Sequence, residues 1–234
     1  MTKQVPSTDT SPGWAVGIIN DIKSQLRRSG FAIGLATIGV ITGYIPVALL
    51  ITLRGVDPEL LTRDIFASTR TPIYTGFLSN LGLFVWAAAV AIWLLGVVLL
   101  ARINLRHPQL LFALGSTLFS ALLLFDDAFM FHELVFPDYL GISEKKVMIM
   151  YVFLSISYVG FNVRHILRSS YLILVIAIGF LGMSVAFDRF LPMTRTETLV
   201  EDSLKFAGIV FWAVYAGTNI IQFVDNVVDR RSSI

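Results

Sequence analysis

The sequence contains no cysteine, and this absence removes several classes of site at once. Disulfide bonds, thiolate metal centres, iron–sulfur clusters and cysteine nucleophiles all need that side chain. The glycine signatures of phosphate-binding and dinucleotide-binding loops are missing as well. Basic residues are sparse, and the formal net charge is only +2. Composition therefore gives no electrostatic argument for a nucleic-acid partner.

Charged residues are scarce, at 15% of the chain, whereas hydrophobic residues make up 56%. A soluble domain is about a quarter charged. The apolar residues occur in blocks of about 18 or more, which is the length that crosses a bilayer as a helix. The sequence therefore predicts a single membrane domain with no room for a sizeable soluble domain beside it.

The predicted fold is an all-α bundle of about six transmembrane helices. The six spans are predicted at residues 31–53, 76–101, 109–135, 147–163, 170–191 and 199–224. Residues 1–30 are predicted to form a cytoplasmic tail with a candidate amphipathic helix, residues 31–225 the membrane domain, and residues 226–234 a short cytoplasmic tail. The first thirty residues lack the apolar run of a cleavable signal peptide, so we expect the first span to direct insertion itself.

Lysine and arginine in the flanks and loops predict the orientation, because these residues favour the cytoplasmic side. The side that holds both termini carries Lys3, Lys23, Arg27, Arg28, Arg102, Arg106, Arg164, Arg168, Arg230 and Arg231. The opposite side carries fewer, namely Arg54, Arg63, Arg70, Lys145, Lys146, Arg189 and Arg195. The sequence therefore predicts both termini in the cytoplasm, in a plasma or inner membrane.

Ionisable residues are concentrated at the end of span three and at the beginning of span six. A central Asp or Lys in a span costs roughly 2.5–3.5 kcal/mol, so such a concentration needs an explanation. At about 1.5 Å per residue, both sets fall in the same outer half of the membrane. We therefore expect an outward-facing acidic pocket between spans three and six, with spans two and five beside it. Asp126 and Glu133, seven residues apart, are expected to share one face of span three.

The predicted pocket holds more carboxylates than positive charges. Surplus carboxylates in a low dielectric either keep protons or bind a cation. This favours a cation or proton site of a small transporter, channel or sensor, formed by Asp126, Asp127, Glu201, Asp202 and Lys205. The expected mouth of the pocket comprises His132, Glu133, Asp188 and Arg189.

Two other interpretations remain open from the sequence. The first is a membrane-embedded hydrolase or oxidoreductase that acts on a lipid or other apolar substrate. Its cofactor would be a hard divalent metal ion, with Asp126, Asp127, His132, Glu133 and Glu201 as candidate ligands. The second is a non-catalytic subunit of a membrane complex, in which Asp127 or Asp126 pairs with Lys205 only to hold two spans together. The expected partners are the lipid bilayer and either a second copy of the chain or a membrane complex.

Overall fold

The computed structural model describes residues 13–62, 66, 69–72, 74–103, 109–190 and 195–232. The regular elements in these ranges are all helical. In chain order they are α1 Gly13–Arg54, α2 Pro58–Thr62, α3 Phe77–Ile103, α4 Leu110–Phe129, a π-helix at Phe131–Tyr139, α5 Glu144–Ile166, α6 Tyr171–Phe190 and α7 Arg195–Ser232. The helical fold class is therefore as predicted.

Six of these helices, α1 and α3 to α7, are long and apolar enough to cross a membrane. This confirms the predicted number of spans, and most helix ends fall within a few residues of the predicted boundaries. The helix that contains span one begins at Gly13 and continues to Arg54, so the candidate amphipathic segment and the first span form one helix. The described part of the chain is thus a multi-pass membrane protein by its helices.

The chain divides into two compact units, residues 1–73 and 74–234. The first unit contains α1 and α2. Gly55, at a φ of 62°, ends α1, and its N–H donates to the Ile51 carbonyl at 3.1 Å. A left-handed glycine is the usual stop at a helix C-terminus because it has no Cβ. Pro58 occupies the first turn of α2, as its position in the sequence predicts.

The second unit is organised around α7, which packs against α3 and α6, while α3 also packs against α4. Its core is rich in aromatic side chains. Trp93, Phe112 and Tyr215 are almost completely buried, and the Trp93 ring lies 5.3 Å from that of Phe112 and 6.0 Å from that of Tyr215. These large rings fix the spacing of α3, α4 and α7.

Gly208 permits the close approach of α6 and α7. A Cβ at this position would lie 2.6 Å from Cγ of Leu181 and 3.0 Å from its backbone nitrogen. We expect Gly208→Ala to cost about 1–3 kcal/mol, because the two helices must separate to relieve the overlap. Unfolding by SDS titration in mixed micelles measures this loss.

Gly217→Ala on the same helix is the matched control, since a Cβ there meets nothing within 4 Å. Alanine in a helix is favoured over glycine by up to about 1 kcal/mol, so this variant should be neutral or slightly more stable. Equal effects of the two substitutions would contradict the close approach at Gly208.

The predicted end of span three is wrong. The α-helix stops at Phe129, and Met130 adopts a left-handed conformation with φ 51° and ψ 46°. The chain then continues as the π-helix, which we call the π segment (Phe131–Tyr139). Because the α-helix is interrupted between them, Asp126 and Glu133 do not share a helix face, and the expectation based on their spacing of seven fails.

Candidate functional site

Asp126 is the centre of a hydrogen-bonded network at the end of α4. Asp126 is only 7% exposed to solvent. Oδ1 accepts a hydrogen bond from the backbone N–H of His132 at 3.0 Å and another from the Tyr151 hydroxyl at 2.8 Å. Oδ2 lies 2.7 Å from Nδ1 of His132. A buried carboxylate needs such donors, and this one has three.

His132 lies between two carboxylates at the start of the π segment. Its Nδ1 faces Asp126, and its Nε2 lies 3.4 Å from Oε1 of Glu133. The imidazole side chain is 23% exposed, whereas that of Glu133 is 51% exposed. The ring is therefore held by the protein on one side and reachable from the surface on the other.

The hydrogen bond with Asp126 raises the pKa of His132 above its ordinary value of 6.5, and the negative charges of Asp126 and Glu133 act in the same direction. Burial of the ring and the charge of Lys205 oppose this rise. The net effect favours the imidazolium form. Histidine is the side chain whose ordinary pKa lies nearest neutral pH, and its contacts here shift that pKa upward.

Asp127 forms an ion pair with Lys205 that joins α4 to α7. The Asp127 side chain is 9% exposed and that of Lys205 is 39% exposed. Of the two aspartates that the sequence offers as partners of Lys205, the structure pairs Asp127, while Asp126 bonds to His132. The adjacent carboxylates thus point to different partners.

A small cleft lies beside this ion pair and contains a third carboxylate, that of Asp202. Its lining comprises Leu78, Ser79, Gly82, Asp127, Asp202, Lys205, Phe206 and Ile209. The cleft therefore involves spans two, three and six, where the sequence places the acidic pocket. Span two takes part through its first turns.

The remaining predicted pocket residues lie around this cleft. Glu201 is within electrostatic reach of Asp188, Asp202, Lys205 and Glu133. Among the described residues, Asp188, Glu201 and Asp202 have no ion-pair partner, so this end of the bundle carries a surplus of negative charge. Arg189 does not relieve it, because its Nη1 lies 3.6 Å from Oε1 of Glu144.

The candidate metal ligands are divided between separate interactions. Asp126 and Glu133 face His132, whereas Asp127 faces Lys205. Over the ranges that the structure describes, no group of three or more histidine and acidic side chains is arranged to hold a metal ion. This geometry does not fit the carboxylate-rich metal centre that the sequence allows.

Two contacts of the site were missed from the sequence, those of Tyr151 and Glu144. Tyr151 lies seven positions after Glu144, the first residue of α5, or about 10 Å along that helix. Asp126 lies only three residues before the end of α4, or about 5 Å, so a comparison of depths along the two helices does not predict their contact. The structure shows it directly, with the Tyr151 hydroxyl donating to Asp126 at 2.8 Å.

Residues 32–217 match the family described as "Domain of unknown function (DUF8692)". Neither the curated proteins nor the solved structures give a match. Because the matched region contains five of the six spans in full, most of the sixth and the whole Asp126 network, the chain belongs to the DUF8692 family.

Proposed function

We propose that this membrane protein binds a proton at His132 and works as a small proton-coupled transporter, channel or sensor. The observation that carries the proposal is the position of the imidazole, 2.7 Å from the Asp126 carboxylate and 3.4 Å from that of Glu133. An imidazole in this setting takes up and releases a proton near neutral pH. With both termini in the cytoplasm, as we propose, the site opens to the outer side of a plasma or inner membrane.

The unpaired carboxylates around the cleft support this role. Asp202 lines the cleft, and Glu201 and Asp188 lie close enough to interact electrostatically with each other. An excess of one sign of charge in a cleft between low-dielectric walls concentrates counter-ions. Protons and other cations are therefore attracted to the end of the bundle where His132 is reachable.

The Asp126 network also connects the proton to the backbone. One carboxylate accepts both the ring N–H and the main-chain N–H of His132, so it fixes the first turn of the π segment. Loss of the imidazolium charge weakens the stronger of these bonds. Proton release thereby changes how firmly the π segment is held, which is the kind of coupling that a sensor or transporter needs.

The proposal predicts a histidine titration that depends on Asp126. In ¹⁵N-histidine NMR spectra of the protein in nanodiscs, we expect the His132 pKa above the ordinary value of about 6.5. Asp126→Asn should lower it toward that value, because the negative hydrogen-bond acceptor is lost. Tyr151→Phe should leave the pKa raised, since the ring bond with Asp126 remains.

His165 is the internal control for this titration. It stacks on Phe112 at a ring distance of 5.5 Å, away from the Asp126 network, so its signals should not respond to Asp126→Asn. An unshifted His132 pKa in the Asp126 variant would refute the proposal. Near-stoichiometric metal in the purified protein, absent from the Asp126→Asn/Asp127→Asn variant, would also contradict the proposed proton site. That result would favour the metal-dependent enzyme instead.

A further inference from the structure

Polar side chains of α4 and α7 continue inward from the cleft into the bundle. Beyond the Asp127–Lys205 ion pair, the indole N–H of Trp212 donates to Oγ of Ser120 at 2.9 Å. Both residues are buried, with Ser120 fully so. Polar contacts between these helices are therefore not confined to the surface of the cleft.

The next contacts lie deeper on the same helix faces. Oγ of Ser116 lies 2.9 Å from the Tyr158 hydroxyl, and the Tyr215 hydroxyl lies 2.9 Å from Oγ of Ser169. Near the far end, Nε2 of Gln222 donates to Oγ of Ser170 at 3.0 Å. We call these separate pairs, together with the Trp212–Ser120 contact and the Asp127–Lys205 ion pair, the polar column.

The length of the polar column is comparable to the thickness of the hydrocarbon core of a bilayer. Lys205 and Gln222 are seventeen positions apart on one helix, which corresponds to about 25 Å. The hydrocarbon core of a bilayer is about 30 Å thick. The polar column therefore extends over most of the apolar thickness that a proton would have to cross.

Two orphaned polar atoms indicate where water enters this column. Nε1 of Trp93 and Oδ1 of Asn219 are buried and have no hydrogen-bond partner among the residues that the structure describes, and both residues are 0% exposed. Both lie beside Tyr215, since Nδ2 of Asn219 donates to its carbonyl at 2.8 Å and the Trp93 ring is 6.0 Å from its ring. Buried polar groups without a protein partner are usually satisfied by internal water.

We propose that the polar column along α7 is a proton pathway, with internal water at Trp93 and Asn219 and in the gaps between its hydrogen-bonded pairs. It rests on the proposed function, because it supplies the route for the proton that His132 binds. At each hydroxyl or water along the path, the oxygen accepts one proton and releases another to its neighbour. The indole of Trp212 only donates, so the proton passes it through Ser120 and water.

Interhelical packing alone does not account for these features. Hydrogen bonds between a serine and an aromatic residue can act as packing contacts in membrane bundles. Packing gains nothing from a buried donor and a buried acceptor that both lack partners, since each one costs free energy. A hydrated pathway explains the two orphaned atoms and the paired hydroxyls together.

Proton flux into liposomes tests the pathway. The full-length protein is reconstituted with an internal pH-sensitive dye, and a potassium gradient with valinomycin balances the charge of the moving protons. We expect flux above that of empty liposomes, and a loss of at least about tenfold in Asn219→Leu, equivalent to about 1.4 kcal/mol. Trp93→Phe should also reduce the flux, because it removes the orphaned donor and keeps an aromatic ring.

Thr117→Val is the matched control. This buried threonine lies on α4 between Ser116 and Ser120, and its hydroxyl donates to the Ala113 carbonyl of its own helix at 2.8 Å. Unlike Ser116, it has no hydrogen-bond partner on another helix among the described residues. Its flux should stay within about twofold of wild type, as expected for an isosteric change outside the polar column. Circular dichroism and size-exclusion chromatography establish that each variant is folded.

The outcomes separate the two proposals. Wild-type flux no greater than that of empty liposomes overturns the pathway, as does wild-type flux in folded Asn219→Leu and Trp93→Phe. In either case a raised His132 pKa that depends on Asp126 leaves the proton site standing. A lost His132 titration with flux intact would overturn the proposed site instead.

Discussion

Replacing Asp127 by asparagine is expected to destabilise the protein by about 2 kcal/mol, and replacing Lys205 by methionine in the same molecule should restore much of this loss. The single change leaves the Lys205 charge without its partner between α4 and α7. Breaking a fully buried ion pair costs about 3–5 kcal/mol, and the 39% exposure of the Lys205 side chain reduces that figure. The double variant removes both charges, and with them the free-energy cost of leaving the Lys205 charge unpaired between the helices.

A double-mutant cycle by SDS titration measures the coupling directly. The control cycle is Glu144→Gln with Arg189→Met, an ion pair at 3.6 Å whose side chains are 44% and 53% exposed. Exposed pairs of this kind contribute about 0–1 kcal/mol. A coupling at Asp127–Lys205 no larger than that of the control would show that the buried pair does not hold the two helices together.

The second large effect concerns the contribution of the Asp126–His132 pair to the free energy of unfolding, which we expect to decrease as pH rises. The folded state raises the pKa of His132 above 6.5, so its stabilising contribution is complete below the unfolded value and disappears as pH rises through the folded value. We expect Asp126→Asn to cost about 2–3 kcal/mol at pH 6, the range of a hydrogen bond to a charged group, and less at higher pH.

Chemical unfolding of wild type and Asp126→Asn across this pH range measures the difference. Subtracting the two curves isolates the contribution of the pair, because other groups titrate alike in both proteins. Tyr151→Phe removes a neutral donor to the same carboxylate and should give a loss that hardly varies with pH. A constant difference between wild type and Asp126→Asn would contradict a titrating histidine at this site.

The membrane helices follow from the sequence because the length of an apolar run is a strong local signal. Most helix ends were correctly placed to within a few residues. The matching depths in spans three and six predict that Lys205 pairs with either Asp126 or Asp127. Local patterns are sufficient for these features, since each depends on one helix or on two helices compared at the same depth.

The break at Met130 could not be predicted in this way. Residues 122–135 contain neither glycine nor proline, so no helix-breaking residue marks position 130 as the end of a helix. At the interruption, Asp126 accepts hydrogen bonds from the ring and backbone of His132 and from Tyr151 of α5, and no local sequence pattern reveals these contacts. Because the division of roles between Asp126 and Asp127 depends on the same break, sequence spacing could not assign it.

The left-handed backbone conformation of Met130 places strain at the junction between α4 and the π segment. A non-glycine residue in that conformation costs about 1–2 kcal/mol, and Met130 keeps it at φ 51°. Asp126 stabilises the start of the π segment through its hydrogen bonds with the backbone N–H and the ring of His132. The hydrogen bonds of Asp126 therefore offset part of the cost of this backbone conformation, so the stability of the junction at Met130 is linked to the protonation of His132.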